Sequence, residues 1–432
     1  MNVIFLLMVG VAFGFAGWHQ LTGVAVQGQS APMEALSTAM IESAASAVDL
    51  AIGLVGVMTL FLGLMKVAEA GGMLNMLARL IRPLMVRLFP EVPADHPAMG
   101  AMILNLSANA LGLGNAATPF GIRAMQELDR LNPCKGTATN AMALFLAINT
   151  SSITLLPSGT IAIRAAAGSA DPAGILSTTL FATMGSTTVA IIAAKLYSHL
   201  ARANGNEPLP ADPLESTQPP QCSDEVFVEG QVQGYPFWVS ILALVALAAM
   251  VPLAVLYGRF ISPWVIPGLM VFFLAFGAVR RVRVYEVMVD GAKEGFQVAL
   301  RIIPYLVAIL VAVGMLRASG AMDAMVALLG PITTPLGLPA EALPMALMRP
   351  LSGSGAYGIM ASIINDPAIG PDSYVGLLVS TLQGSTETTF YVLAVYYGAV
   401  QIRRIRHSLA AALTADLAGV VCAILACQFF IR

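Results

Sequence analysis

Charge is what this sequence has least of. Of its 432 residues only 11% are charged, while 57% are hydrophobic. A water-soluble chain carries about 25% charged residues. A water-exposed surface cannot be built from so few, so the chain must face lipid. Cysteine is scarce as well. Cys134, Cys222, Cys422 and Cys427 form no CxxC pair and have no histidine at zinc-like spacing, which argues against a disulfide framework and a structural metal. His19, His96, His199 and His407 are scattered near predicted helix ends. No HExxH, GxSxG or Walker loop occurs, so no catalytic group, resident metal or cofactor is expected and the chain does not read as an enzyme. A net charge of -2 leaves no broad basic face, which excludes nucleic acid as a partner.

What the chain does have is long apolar runs. A spanning helix needs about 20 apolar residues, and such runs lie near 3–20, 47–67, 138–158, 173–198, 236–257, 262–279, 299–316, 373–399 and 408–430. The first lacks a basic leader and a small-x-small cleavage site, so it reads as a membrane helix rather than a signal peptide. One segment, 202–233, is rich in Pro, Glu, Asp, Ser and Gln without helical periodicity. It reads as a solvated linker dividing the chain into 1–201 and 234–432. Two amphipathic stretches, 73–89 with Arg79, Arg82 and Arg87, and 281–296, suit either the headgroup plane or a short connecting helix. The clusters Arg280, Arg281, Arg283 and Arg403, Arg404, Arg406 are expected on the cytoplasmic side.

The halves resemble each other in order. MIESAASAVDLAIGLVGVM from Met40 lies on MVDGAKEGFQVALRIIPYL from Met288, and GLMKVAEAGGM (63–73) lies on GMLRASGAM (314–322) with a small gap. Residues 105–110 fall near 350–355, and NTSSIT (149–154) lies without a gap on QGSTET (383–388). A duplicated membrane unit is the usual architecture of a secondary transporter, with solute bound where the repeats meet. Whether the repeats are parallel or inverted depends on the number of crossings between them; the inverted arrangement is favoured.

Three polar, broken segments carry the candidate site. In 100–125, Asn105, Ser107 and Asn109 are followed by Gly112, Gly114, Asn115, Thr118 and Pro119. Gly-x-Gly-Asn followed by Thr-Pro is expected to break the helix. Free backbone groups at membrane depth are tolerated only inside protein or beside a wet cavity, and helix ends there offer partial charge to a solute. In 345–363, Ser352 and Ser354 alternate with glycines, Tyr357 offers a hydroxyl, and Arg349 precedes them. Arg349 belongs either at the membrane surface or on a solute carboxylate or phosphate. The third element is the matched pair Asn149, Ser151, Ser152, Thr154 and Gln383, Ser385, Thr386, Glu387, Thr388. Glu387 is the only ionisable residue of its span before the tyrosines, which suits it to carry a proton or bind a coupling cation. Glu42, Ser46 and Asp49 share one helix face but read as a solvated helix end.

At these motifs the chain resembles a known group. NLSANALGLGNAATPFGIRAMQELDRLNP (105–133) resembles the spore maturation protein A family. GAKEGF (291–296), IIPYLVAILVAVGMLRASG (302–320), RPLSGSGAYGIM (349–360) and LQGSTETTFYVLAVYYGAV (382–400) resemble the spore maturation protein B family. The chain is similar to a fusion of the two, within the group carrying the nucleoside-recognition, or Gate, domain. The resemblance implies an all-α polytopic transporter-like fold with broken or re-entrant helices, and two partners acting as one complex. Gln383-Gly-Ser-Thr-Glu387 is similar to the Gln-Thr-Glu turn that holds ligand in nucleoside transporters, with a Gly and a Ser set in between.

The expectation is therefore a multi-pass protein of a bacterial cytoplasmic membrane. Its expected function is moving a small polar solute, anionic or nucleoside-like, coupled to H+ or Na+, with homo-oligomerisation left open. The alternative is a membrane scaffold or regulator of envelope or spore-cortex maturation that transports nothing.

Overall fold

A computed structural model describes residues 2–22, 31–112, 114–151, 153–203 and 234–430. Most of the stretch read as a linker, and Cys222 with it, lies outside the described residues. Sixteen α-helices and no strand occur among the described residues. The apolar runs become helices, three of which are long and apolar enough to cross a membrane: Phe5–Thr22, Pro172–Leu200 and Ser408–Phe429. Two bent pairs, Met58–Ala70 with Met73–Leu88 and Leu310–Ala318 with Ala321–Leu336, bring the number to five if each pair is one span. The chain is an all-α membrane protein.

The element order repeats. In the first half a long helix α2 (Pro32–Ala70) turns into α3 (Met73–Leu88), and in the second α10 (Val284–Ala318) turns into α11 (Ala321–Thr333). Each turn needs a residue with positive φ, and glycine fills it both times: Gly72 at 83° and Gly320 at 77°. The bends are 68° and 83°. A broken segment follows, α4 (Pro97–Ala110) and α5 (Gly114–Arg130) in one half, α12 (Leu343–Met348) and α13 (Gly353–Ile364) in the other. A second broken segment comes next, α6 (Asn140–Thr150) and α7 (Ser158–Ala166) against α14 (Tyr374–Ser385) and α15 (Thr389–Gly398). Each half closes on a long helix, α8 (Ile175–Ala203) and α16 (Ser408–Phe430).

Equivalent helices pack against each other head to tail. On α2 and α10, Gly63 faces Met288, Thr59 faces Gly295 and Ser43 faces Gly314, so one helix ascends as the other descends. Glycine sets their spacing: a Cβ at Gly295 would sit 2.7 Å from the Thr59 Cα and 2.9 Å from the Met58 carbonyl. Likewise Gly185 of α8 lies beside Cys422 of α16, while Tyr197 reaches Thr414. Helices that correspond in sequence and cross antiparallel are the mark of inverted repeats.

Several expectations change in detail. The stretch 281–296 is no separate interfacial helix but mostly the start of α10, after a tight turn in which Arg281 takes φ 58°. The runs 236–257 and 262–279 are both helical, within α9 (Phe237–Val279). A straight helix of that length would run ~64 Å. Yet both ends touch α3, through Ser240 on the Leu80 carbonyl and Arg280 on Met76, so α9 doubles back as two spans would. In the first broken segment the helix stops after Ala110 and resumes at Gly114, with Gly112 at φ 78°. Pro119 lies inside α5 rather than at the break. Its ring removes a single donor one turn in, and the helix continues. Residues 105–110 are still helical, so the counterpart of the 350–355 turn is the segment just after them.

Candidate functional site

The two matched polar motifs end two helices at the same place. Asn149 and Thr150 close α6, and Ser385 closes α14. Hydroxyls near a helix end fold back on the helix's own carbonyls: Thr150 and Ser151 on Ala147, and Ser385 on Leu382. The two breaks then meet. The Glu387 N–H donates to the Thr150 carbonyl at 2.7 Å, so the broken helices of the two halves are joined backbone to backbone. Each break also pairs with the end of the other broken segment in its own half, Leu155 N–H on the Ala110 carbonyl and Phe390 N–H on the Pro350 carbonyl. Orphaned helix ends at membrane depth must find such partners.

Arg349 sits inside this crossing, 7% exposed. Its guanidinium donates to the Thr386 carbonyl and, at 3.2 Å, to the Thr388 hydroxyl. Its Nη2 lies 3.6 Å from a Glu387 carboxylate oxygen. One N–H on each of Nη1 and Nη2 is thus committed within the chain, while the buried Nε has no partner among the described residues. Glu387 is different: its side chain stays 43% exposed. Gln383, 3% exposed, is in hydrogen-bond reach of the Tyr357 hydroxyl, which also meets Thr160. The Gln383 carbonyl oxygen has no partner among the described residues.

A second cluster adjoins the first. Asn105 donates to the Ala117 carbonyl at 2.7 Å and to the Tyr396 hydroxyl at 3.0 Å. Tyr396 in turn reaches the Asn149 side-chain oxygen at 3.4 Å, to which Asn109 donates at 2.9 Å. This network spans both halves and holds both breaks of the first half. Ser107 bonds its own helix at Ile103 and takes no part. Ser352 caps α13 by accepting from the Gly355 N–H at 3.0 Å, and Ser354 is half-buried beside it. Thr118 and Thr154 are half-buried, and each has a partner of its own. The Asn115 side chain and Ser152 lie outside the described residues. Glu42, Ser46 and Asp49 are exposed on α2, away from the crossing.

Sequence reasoning missed three groups. Tyr396 stands among apolar residues, and nothing in its neighbourhood announces a partner 291 residues away. Arg164 of α7 is fully buried and pairs with Asp372 at 2.8 Å. Asp416 of α16 is 5% exposed and accepts from the Thr389 hydroxyl at 2.7 Å. For Asp416 the signal was available, because it is the sole acidic or basic residue in its apolar run.

Comparison with known proteins fits this architecture. Over 167 residues the chain is 46% identical to spore maturation protein B of Bacillus subtilis (strain 168), covering 39% of this chain and 93% of that protein. Over 190 residues it is 40% identical to spore maturation protein A of the same organism, covering 44% of this chain and 97% of that protein. The two matches cover different parts, so two separate Bacillus proteins are joined here in one. No solved structure matches. The Gate family model, described as nucleoside recognition, matches residues 51–201 and 299–403, a stretch of each half that includes both broken helices at the crossing. The chain therefore belongs to the Gate nucleoside-recognition family of membrane proteins.

Proposed function

We propose that the chain is a secondary transporter of a small, polar, nucleoside-like solute in a bacterial cytoplasmic membrane, and that the solute binds where α6 and α14 break. The observation that carries this reading is the crossing itself. A carboxylate left 43% open at the meeting of two inverted repeats, with Arg349 at 3.6 Å on one side only, keeps capacity for a further partner. Facing lipid it would be costly, so it faces water or a solute. The groups still free there, the Glu387 carboxylate and the Gln383 carbonyl oxygen, are acceptors. Arg349, the one cation there, is held at Nη1 by Thr388 and at Nη2 by Thr386, and its unpartnered Nε is buried away from the opening. The site therefore suits a neutral, donor-rich solute such as a nucleoside better than an anion. The boundaries 1–201, 202–233 and 234–432 remain part of the proposal, each half supplying one broken helix.

A thermal-shift panel of nucleosides, amino acids and dicarboxylates on the purified protein in detergent tests this, repeated with Glu387→Gln and Gln383→Ala. Bound solute raises the melting temperature of the native state. A nucleoside shift that both variants abolish supports the site; a shift untouched by either sinks it. The second reading, a membrane scaffold of envelope maturation, rests on the names of the two Bacillus relatives and is favoured if no compound in the panel shifts the protein.

A further inference from the structure

Asp416 is unlike any other carboxylate among the described residues. It lies eight residues into α16, ~12 Å along the helix and so well inside a span. It is 5% exposed. One oxygen accepts from the Thr389 hydroxyl, the first residue of α15 after the break. The other oxygen, Oδ1, has no partner among the described residues. A carboxylate offers about four acceptor sites, and burying it ionised with one filled is costly unless a charge answers it.

The surroundings supply one charge, and it is shared. α16 packs on α8, α6, α14 and α15. α6 and α14 carry no acidic or basic residue, and α15 offers only Tyr391, Tyr396 and Tyr397. α8 faces this level with Ser186, which donates to the Ala415 carbonyl at 2.8 Å; its Lys195 and His199 are exposed further along. Arg349 is the cation whose field reaches Asp416, from beyond ion-pair distance; its guanidinium is bonded to Thr386 and Thr388 and lies 3.6 Å from Glu387. One carboxylate pairs with the guanidinium directly, and the second feels it only through space. Glu387, open and directly paired, can stay ionised. Asp416, dry and half-satisfied, needs something on Oδ1. A sodium ion would need several more oxygens than the carboxylate and Thr389 provide, whereas a proton needs none.

We propose that Asp416 takes up a coupling proton at Oδ1, and that Arg349, shared with Glu387, links that proton to occupancy of the solute site. With the proton bound, Arg349 is held by Glu387. With it lost to water, the guanidinium answers Asp416 and leaves Glu387 to the solute. Solute and proton binding are then coupled, and by linkage each alters the other's affinity. This rests on the transport reading for the role of the proton, but the proton itself is detectable without any solute.

Infrared difference spectroscopy of the full-length protein in detergent, titrated from acid to alkali, separates the two. A protonated carboxyl band should persist at neutral pH in wild type, vanish in Asp416→Asn, and titrate away at lower pH in Glu387→Gln, where Arg349 is free to answer Asp416. If Asp416→Asn does not fold, Thr389→Val serves: removing its hydroxyl partner should move the same band. A band absent from wild type at neutral pH, or one that survives Asp416→Asn, overturns the proposal. So does a melting-temperature rise in sodium chloride over choline chloride that Asp416→Asn abolishes, since the ligand would then be the metal ion. If the band behaves as expected while the nucleoside panel finds nothing, the proton site stands and the solute reading fails. If a solute binds equally at every pH in wild type, the coupling through Arg349 fails and the solute site stands.

Discussion

Arg164 is fully buried, and nearly all its donors are spent on one cluster. Its Nη1 donates to the Pro371 carbonyl at 2.5 Å and lies 3.4 Å from Ser380. Its Nη2 meets Asp372 at 2.8 Å, Ser169 at 3.0 Å and the Asp171 carbonyl at 3.1 Å. Asp372 also accepts from the Ser169 hydroxyl at 2.5 Å and the Ala170 N–H at 2.8 Å. The cluster ties α7 of the first half to the turn ahead of α14 in the second. Asp372→Asn leaves the cation buried with neutral acceptors alone. Breaking a buried pair costs about 3–5 kcal/mol, but Asp372 is 42% exposed and water recovers part of that. A hydrogen bond to a charged group contributes about 1.5–3 kcal/mol, so about 2 kcal/mol is expected. At about 2 °C or less per kcal/mol for a chain this long, the melting temperature should fall by a few degrees. Arg164→Met and the double variant complete a cycle, and a coupling of about 1–2 kcal/mol is expected. The Asp372 carboxyl, in a turn outside the spanning segments, is held below the ordinary carboxylate range. Burial works against the charge, but the Ser169 and Ala170 hydrogen bonds and the Arg164 cation outweigh it. A carboxyl depressed in this way stabilises above its unfolded value and loses that stabilisation as pH falls through the folded one. The gap between wild type and Asp372→Asn should therefore be full at neutral pH, hold to about pH 5 and close below about pH 4. Single effects that simply add, or a gap that widens in acid, would refute the reasoning.

Two further perturbations read the packing. A Cβ at Gly121 would collide with the Tyr396 phenol, so Gly121→Ala should cost about 1–3 kcal/mol of thermal stability, and Tyr396→Phe in the same chain should restore part of it; no rescue would mean that the collision is relieved elsewhere. Gly295→Leu should drive α2 and α10 apart at Thr59 and lower the melting temperature well beyond Gly268→Leu, where nothing lies within 4 Å of the added carbon. Equal losses at the two positions would show that the glycine contact does not set the spacing.

How much of this could be read in the chain depends on the range of the interaction. Apolar runs and glycine-rich breaks are local, so the helical runs and the break after Ala110 were legible, while the Gly72 and Gly320 bends and the breaks within 138–158 and 373–399 were not read. The matched NTSSIT and QGSTET were legible because hydroxyls and amides in an apolar run stand out, and both motifs do end helices. Their meeting through Glu387 N–H and Thr150 was not, since a backbone bond leaves no mark on residue type. Arg349 could be flagged as out of place, but not assigned to the crossing over a membrane surface, because its partners Thr386 and Thr388 lie more than thirty residues on. Arg164 and Asp372 are 208 residues apart, and each alone resembles an ordinary charge near a helix end.

The halves are alike in order but not in packing. A two-fold axis would turn the contact of α2 with α7 into one of α10 with α15, and that of α10 with α13 into one of α2 with α5. α2 does pack on α7, and α10 on α13, where Arg317 meets Asp366 at 2.6 Å just beyond the end of α13. Among the described residues no comparable packing joins α10 to α15 or α2 to α5. Under the transport reading, this asymmetry would be exchanged between two access states, by swapping which short helices lie against the α2–α10 pair. Packed interfaces switch between discrete arrangements and do not deform smoothly, so the exchange must release something. The Arg164–Asp372 cluster is in the right place, because it anchors α7, the first-half member of the exchanging set, to the second half. Under the transport reading it is the latch of one of two access states. Asp372→Asn should then do more than lower stability: it should loosen α7 while leaving the Glu387–Thr150 crossing intact.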